Sequence, residues 1–249
     1  MTELKVKKLI LMIFFIIFLG GFIYSFYEIV MWKLNVNENK KIQDNLNDKI
    51  TVTKEEKKYD IDFKSLKEIN SDTIAYIKVN NTNIDYVVVK GNDNEYYLHH
   101  NFEKKSNIAG WVFGDYHNKF DESDRHLVIY GHSTKDGSMF GTLTNVLQSD
   151  WYENTENHKI LLVTEMNTYY YQVFSTYAIV PEDYYINTEF KSNTEFTEFI
   201  NKIKSRSIYN YGVEVSEKDK ILTLSSCIGQ GEQRVVLHAK LVETESKKK

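Results

Sequence analysis

An uncharged, apolar run from Leu9 to Tyr27 constrains this chain more than any other feature of its sequence. A membrane-spanning helix needs about 20 predominantly apolar residues, and the run is close to that length. Three lysines lie just before it, at positions 5, 7 and 8. Because positively charged flanks stay on the cytoplasmic side, we predict a single-pass protein of the cell membrane. Residues 1–8 would be cytoplasmic, 9–27 would contact lipid, and the remainder would be extracellular.

A cleaved signal peptide is the competing interpretation of this segment. Signal peptides carry an apolar stretch of about 7 to 15 residues, followed by a cleavage site of small residues. The run from Leu9 to Tyr27 is longer, and no site of that kind follows it. The sequence therefore favours an uncleaved anchor.

The segment that follows the apolar run is polar and poor in hydrophobic residues. Ile42, Leu46 and Ile50 recur with helical spacing, but one narrow apolar stripe can only pack on a neighbour and cannot make a core. We therefore predict a polar, partly helical stalk over 28–60. A chain of 249 residues has room for one substantial domain besides such an appendage, and we place that domain at 61–249.

The composition of the domain favours β-structure. Aromatic residues make up 14% of the chain, with 18 Tyr and 14 Phe, and such residues are enriched in strands. The number and spacing of strand-like runs suit a closed barrel or sandwich better than a doubly wound sheet. Helical spacing marks four short segments, 63–69, 93–99, 139–148 and 194–204. The predicted strands are 73–79, 85–90, 109–113, 126–130, 160–165, 168–180, 221–225 and 234–242, the first two forming a hairpin.

Charge and metal-ligand spacing exclude two broad classes of function. The formal net charge is −4 and the isoelectric point is near 6.0, so the basic excess of a nucleic-acid-binding protein is absent. One Cys and seven scattered His offer no ligand spacing of the zinc type. We predict no nucleic-acid partner, no metal site and no other cofactor.

The single cysteine, Cys227, is the first candidate for chemistry. An odd thiol in an exported protein is either reactive or an inert buried side chain. Cys227 follows the predicted strand 221–225, His132 follows 126–130, and Arg234 begins the last strand. A thiol nucleophile needs a base such as His, and a guanidinium can stabilise an oxyanion. These three residues therefore form a candidate catalytic set, with His132 as acid and base.

Together with their flanking residues, these positions resemble one family closely, the sortases. The matching runs are Tyr130-Gly131-His132, Thr223-Leu224-Ser225-Ser226-Cys227 and Arg234, in the order of the family. Ser226 stands where Thr is usual, and Ser133 stands where Asn often follows the His. Further segments are similar to class B members: 84–91, 110–115, 135–141 and the helix from Thr194.

The resemblance implies an eight-stranded sortase barrel with an N-terminal helical extension, and a cysteine transpeptidase that attaches secreted proteins to the cell wall. Its partners would be proteins with a C-terminal sorting motif and an amino group of peptidoglycan. Asn94, Leu98 and Ser225 match positions that line the class B substrate groove. No acidic third member is evident, because Asp115, Asp121 and Asp124 lie in a loop, where carboxylates are usually solvated.

Two alternatives stay open at this point. One is a cell-wall Cys enzyme of the L,D-transpeptidase type, although the residues around Cys227 do not reproduce its pattern. The other is a non-catalytic β-domain, such as an adhesin or wall-binding module. The resting protonation of the Cys227–His132 pair is also open, since a neutral pair and an ion pair both fit these residues. We further expect the Gly-containing loop 228–233 to be mobile.

Overall fold

A computed structural model describes residues 3–53, 58–228 and 233–247. It divides into two compact units, Met1–Glu38 and Asn39–Lys249. One helix, α1 (Glu3–Asn47), supplies the described residues of the first unit and continues into the second. In the part of the chain that the structure describes, α1 is the one helix long and apolar enough to cross a membrane. Its apolar side chains between residues 9 and 27 are exposed, as a lipid-facing segment requires.

The last turns of α1 belong to the second unit and contribute to its core. Ile42 and Leu46 are both buried in the main hydrophobic cluster. Gln43 donates from its Nε2 to the carbonyl oxygen of Asp85 at 2.7 Å. The apolar stripe therefore packs on a neighbouring element, and we propose to begin the folded domain at Asn39 rather than at residue 61.

A closed barrel of eight strands makes up most of the second unit. Its strands are β3 (Thr73–Val79), β4 (Asp85–Val89), β5 (Phe113–Gly114), β6 (His126–Gly131), β7 (Lys159–Val163), β8 (Asn167–Ile179), β9 (Ile221–Ile228) and β10 (Gln233–Ser246), and a separate antiparallel pair is β1 (Ile50–Thr53) with β2 (Lys58–Ile61). The barrel strands follow in the order β10-β8-β7-β3-β4-β5-β6-β9, and β9 pairs with β10 to close the ring. The β4–β5 and β6–β9 pairs are parallel and the others antiparallel. The predicted barrel class is confirmed.

Three helices accompany the barrel, α2 (Phe63–Ile69), α3 (Ser149–Glu153) and α4 (Asn193–Ser205). Helix α4 lies between β8 and β9 in the chain and begins where Ser192 accepts the N–H of Glu195 at 3.1 Å, as an N-cap residue does. The face of α4 that the sequence predicts to be apolar packs in a second core cluster with side chains of β8, β9 and β10. The predicted helix 194–204 is therefore confirmed.

Two predicted helices and one predicted strand differ in the structure. The segments 93–99 and 139–148 contain 3₁₀ turns, Tyr96–Leu98 and Gly141–Leu147, because apolar spacing over one or two turns does not separate the two helix types. The predicted strand 109–113 keeps only its last residue in the barrel. Its backbone turns at Gly110, where φ is +57°.

Candidate active site

The backbone register of three neighbouring strands gathers the predicted catalytic residues at one end of the barrel. Cys227 in β9 pairs with Arg234 in the antiparallel strand β10. On the other side of β9, the parallel pairing with β6 ends at Gly131 opposite Ser226. The next residues along these two strands are His132 and Cys227. Strands that are far apart in sequence therefore bring all three positions together. The structure describes Cys227 through its backbone, and the loop expected to be mobile includes 229–232, which lie outside the described residues.

The imidazole of His132 is held in a single orientation by a backbone carbonyl. Its Nε2 donates to the oxygen of Leu98 at 2.8 Å, and a neutral ring with its proton on Nε2 has its lone pair on Nδ1. Burial lowers the pKa of His132, and the positive charge of Arg234 lowers it further, while the bond to Leu98 opposes both effects. These causes favour the neutral ring at neutral pH.

Gly110 explains why the Leu98 carbonyl lies where His132 can use it. The turn at Gly110 lets the backbone N–H of Trp111 donate to the Tyr97 oxygen at 2.9 Å. A Cβ at position 110 would lie 2.5 Å from the Tyr97 oxygen and 2.8 Å from the Leu98 oxygen. Only glycine permits that approach together with a positive φ, so a side chain at position 110 would displace the carbonyl that orients His132.

A cavity of about 280 Å³ opens beside His132. Its wall includes every predicted site residue whose side chain the structure describes: Asn94, Leu98, His132, Ser225 and Arg234. The same wall carries Tyr130 and Tyr185, and the Tyr185 hydroxyl lies 3.2 Å from the Ser225 Oγ. The sequence analysis therefore selected side chains that share one cavity.

The neighbouring residues clarify what Asn94 and Ser225 are doing structurally. The N–H groups of Glu95 and Tyr96 bond to the side chain of Asp93, just before the 3₁₀ turn Tyr96–Leu98, so Asp93 and not Asn94 accepts these backbone groups. Ser225 is buried, yet its hydroxyl belongs to the cavity wall. Leu98 is half-buried and packs against the main core while also lining the cavity.

Two residues of the site were missed by the sequence analysis. Tyr130 lies on β6, two positions before His132, which directly follows the strand. The alternation of side chains along an extended segment places both on one face, so that signal was available. Asp115 was expected to be a solvated loop carboxylate, and this was wrong. Its side chain is buried and accepts hydrogen bonds from Asn94 and Tyr130. A sequence does not show which loop carboxylate is covered by neighbouring elements.

The other two loop aspartates differ from Asp115 in their surroundings. Asp124 accepts the backbone N–H groups of residues 119–121 and so shapes the loop itself. Asp121 is exposed and bonds to Ser123 nearby. Among the described residues, no group of three or more His, Cys, Asp and Glu side chains could hold a metal ion.

A barrel that brings Cys, His and Arg to adjoining strand ends beside a substrate-sized cavity has the architecture of a cysteine acyl-transfer enzyme. Comparison with known proteins is consistent with that class. The family model described as "Sortase domain" matches residues 77–242. Sortase B of Listeria monocytogenes is 33% identical over 96% of this chain and 99% of its own length.

Solved structures show the same relationship. Sortase B from Bacillus anthracis, in complex with AAEK1, superposes with a TM-score of 0.74 at 34% identity, covering 84% of this chain and 99% of that one. A sortase B complexed with triglycine gives a TM-score of 0.68 at 33% identity, over 73% of this chain and 85% of that one. The chain belongs to the sortase family, in class B, and is a cysteine transpeptidase. This assignment sets aside both the L,D-transpeptidase and the non-catalytic β-domain.

Proposed function

We propose that this class B sortase cuts a C-terminal sorting motif of secreted proteins and joins the new carboxyl end to an amino group of peptidoglycan, with Cys227 as nucleophile. The observation that carries the proposal is the strand register, which places Cys227 opposite Arg234 and beside the strand end that bears His132. A role in cell-wall anchoring follows from membership in the class.

The reaction divides into two acyl transfers. The Cys227 thiol first gives its proton to the neutral imidazole of His132. The thiolate so formed attacks the scissile carbonyl carbon and forms a C–S bond, while Arg234 stabilises the oxyanion. The C–N bond then breaks, and protonated His132 transfers its proton to the departing amine. The acceptor amine attacks the resulting thioester, gives up a proton to His132, and releases the thiolate as the C–S bond breaks. Return of the proton from His132 to the thiolate restores the starting pair, so atoms and protons balance over the cycle.

The orientation of His132 supports its proposed role. Since Nε2–H is held by the Leu98 carbonyl, Nδ1 is the nitrogen that gains and gives the catalytic proton. Burial lowers the pKa of this imidazole, which makes the imidazolium a stronger acid toward a leaving amine. The backbone oxygen keeps the ring in place in both protonation states.

Substrate and acceptor are proposed from the cavity and from a relative. Asn94, Leu98 and Ser225 would contact the sorting motif, because their side chains line the cavity that contains His132 and Arg234. The relative complexed with triglycine supports a glycine-type amine as the probe for the second acyl transfer. The acceptor in the wall would be an amino group of a peptidoglycan stem or cross-bridge.

We also propose that residues 9–27 anchor the enzyme in the membrane as a single span. The exposed apolar face of α1 and the lysines before it support a cytoplasmic N-terminus and an extracellular catalytic domain. Cysteine-accessibility labelling of intact cells would test this orientation, with a cysteine introduced at position 2 or at position 35 in a Cys227→Ala background. Labelling at position 35 alone is the expected result.

The catalytic proposal is tested with the full-length protein in detergent micelles. Incubation with a pooled library of pentapeptides should give a thioacyl-enzyme, detected as a mass increase of the intact protein, and added triglycine should discharge it. Cys227→Ala should abolish the adduct, while His99→Gln, which alters an exposed side chain, should retain it. An adduct that persists in Cys227→Ala would show that another group is the nucleophile.

A further inference from the structure

The buried carboxylate of Asp115 has four hydrogen-bond contacts with three neighbouring residues. Its Oδ2 accepts the Asn94 Nδ2–H and the Tyr130 hydroxyl, each at 2.8 Å. Its Oδ1 accepts the backbone N–H of His117 at 3.0 Å and lies 2.8 Å from the His117 Nδ1. Burial would raise the pKa of Asp115, but the hydrogen bonds from His117, Tyr130 and Asn94 lower it overall. The group is therefore ionised at neutral pH and only accepts hydrogen bonds.

An ionised carboxylate leaves the Asn94 amide one possible orientation. The NH₂ end faces Asp115, because an amide oxygen there would oppose a negative oxygen. The other end is also held, since the Asn94 Oδ1 accepts the backbone N–H of Tyr116 at 3.1 Å. Reversal of the amide would lose both bonds. Hydrogen bonds thus fix both ends of the Asn94 amide, and Asp115 accepts one of them.

This orientation decides what Asn94 offers to a ligand. Its amide carries a second N–H, and the side chain lines the cavity that contains His132 and Arg234. Asn94 therefore has a hydrogen-bond donor left to offer to this cavity, while its acceptor end is occupied by the Tyr116 N–H. A substrate atom that meets this donor must be an acceptor.

We propose that Asp115 is a positioning residue of the transpeptidase, which orients the Asn94 amide so that the cavity presents a donor to an acceptor oxygen of the substrate, such as a peptide carbonyl. The inference rests on the proposed place of Asn94 in the substrate groove. Asp115 acts through Asn94 and does not itself touch the substrate.

The isosteric change Asp115→Asn reverses this arrangement in a predictable way. The new side chain has one oxygen and one NH₂ in place of two acceptors. The backbone N–H of His117 cannot reverse, so the oxygen stays on that side and the NH₂ faces Asn94 and Tyr130. The Tyr130 hydroxyl can accept from it, but two NH₂ groups cannot bond to each other. Asn94 must then turn its oxygen toward position 115 and lose its bond from Tyr116.

The experiment compares acylation of the full-length protein in detergent by the pooled pentapeptide library at low concentration, where the rate reports kcat/KM. Asp115→Asn should lower this rate about tenfold, the order expected for one lost hydrogen bond to substrate. In an Asn94→Ala background the same change should have less than about a twofold effect, because the amide that it reorients is absent. The rate of Cys227 alkylation by iodoacetamide should stay unchanged, because the reacting groups are not altered.

Asp124→Asn is the matched control. Asp124 lies in the same loop and accepts several backbone N–H groups, but it is not part of the cavity wall. This control should lower the melting temperature and leave the acylation rate within about twofold of wild type, since it changes no group that faces the substrate. Comparison with this control distinguishes the general effect of removing a loop carboxylate from the specific effect of reorienting the Asn94 amide.

Three results with Asp115→Asn would overturn the inference. They are an acylation rate for Asp115→Asn close to that of wild type, an equal loss in the Asn94→Ala background, and a parallel loss of Cys227 alkylation, which would indicate general damage to the site. An acylation rate of Asn94→Ala equal to that of wild type would also overturn it. The transpeptidase proposal would still stand as long as Cys227→Ala abolishes the adduct.

Discussion

Two buried histidines should make the folded domain lose stability in mild acid. His126 Nδ1 donates to the Asn187 oxygen at 2.7 Å, so its neutral ring accepts the Thr223 hydroxyl at Nε2, 2.6 Å away. Thr223 Oγ1 then accepts from His238 Nδ1 at 2.6 Å, and His238 Nε2 accepts the Tyr177 hydroxyl at 2.9 Å. The chain of bonds crosses four adjacent strands, β6, β9, β10 and β8. It is complete only when both rings are neutral, since a second proton on either ring would oppose a donor.

The size of the effect follows from the pKa of each ring. Burial lowers the pKa of His126 to about 4, and burial together with the charge of His126 lowers the pKa of His238 well below 6.5. In the unfolded chain both rings bind protons near pH 6.5. The stability contributed by the neutral rings is therefore fully present above pH 6.5 and is lost as the pH falls toward 4. Each ring costs about 1.4 kcal/mol per pH unit in this window.

Between pH 6.5 and 5, the two rings together should remove about 4 kcal/mol at most from the free energy of unfolding. This is a large share of the total of about 5 to 15 kcal/mol that is typical of a protein domain. His132 and His158, whose pKa values are also lowered by burial, act in the same direction. Aspartates with a lowered pKa, such as Asp115, lose their contribution only below about pH 4. A change in the free energy of unfolding between pH 6.5 and 5 is therefore due to the histidines.

The assay is urea unfolding of the full-length protein in detergent micelles, followed by near-ultraviolet circular dichroism at pH 7, 6 and 5 and constant ionic strength. The free energy of unfolding should fall steeply below pH 6.5, and His238→Gln should reduce that slope by about one proton. His99→Gln, at an exposed position, should keep the wild-type slope. Equal stability at pH 7 and 5, or an unchanged slope in His238→Gln, would refute the reasoning.

Three further predictions concern the active site and the domain boundary. Gly110→Ala should reduce acylation at least about tenfold, because its Cβ would displace the carbonyl that orients His132. Gly212→Ala, also at positive φ but in open space, should be active, and equal activities of the two variants would contradict this. Arg234→Lys should fold normally but lose about 10²- to 10³-fold in single-turnover acylation, since Lys lacks the planar fork of the guanidinium group. A loss of only a few-fold would show that Arg234 does not stabilise the oxyanion. Deleting 1–38 should leave the melting temperature of the domain unchanged. Deleting 1–48 should lower it by removing the buried apolar side chains of Ile42 and Leu46, worth about 2 to 5 kcal/mol each. Equal melting temperatures for the two deletions would contradict a domain boundary at Asn39.

Local patterns predicted a large part of the fold. The hairpin of β3 and β4 and helix α4 have the expected positions, because period-2 and period-3.6 patterns are set by residues close in sequence. The boundaries of β9 and β10 extend beyond the predicted ones. Strand ends depend on how far the neighbouring strand continues. The predicted strand 109–113 was shortened by a turn whose partner, Tyr97, lies outside the segment.

The candidate catalytic residues could be selected from the sequence for a chemical reason. A single cysteine in a domain predicted to be extracellular, with a histidine and an arginine at predicted strand ends, is unusual enough to point to thiol chemistry. The flanking residues of these three positions matched one family. The same reasoning could not find Asp115, because its burial under neighbouring elements cannot be seen in the sequence. Nor could it assign the His132 tautomer, which depends on a carbonyl 34 positions away in the chain.

The sequence by itself determined the apolar span, the class of the domain and the identities of Cys227, His132 and Arg234. Those properties follow from composition, periodicity and residue type, which do not depend on contacts between residues distant in the chain. Only the tertiary structure decided which strands adjoin, which carbonyl orients His132, and which end of the Asn94 amide faces Asp115. Each of these is a property of a pair of groups distant in the chain. Burial and hydrogen-bond orientation exist only once the barrel closes and brings those groups within reach.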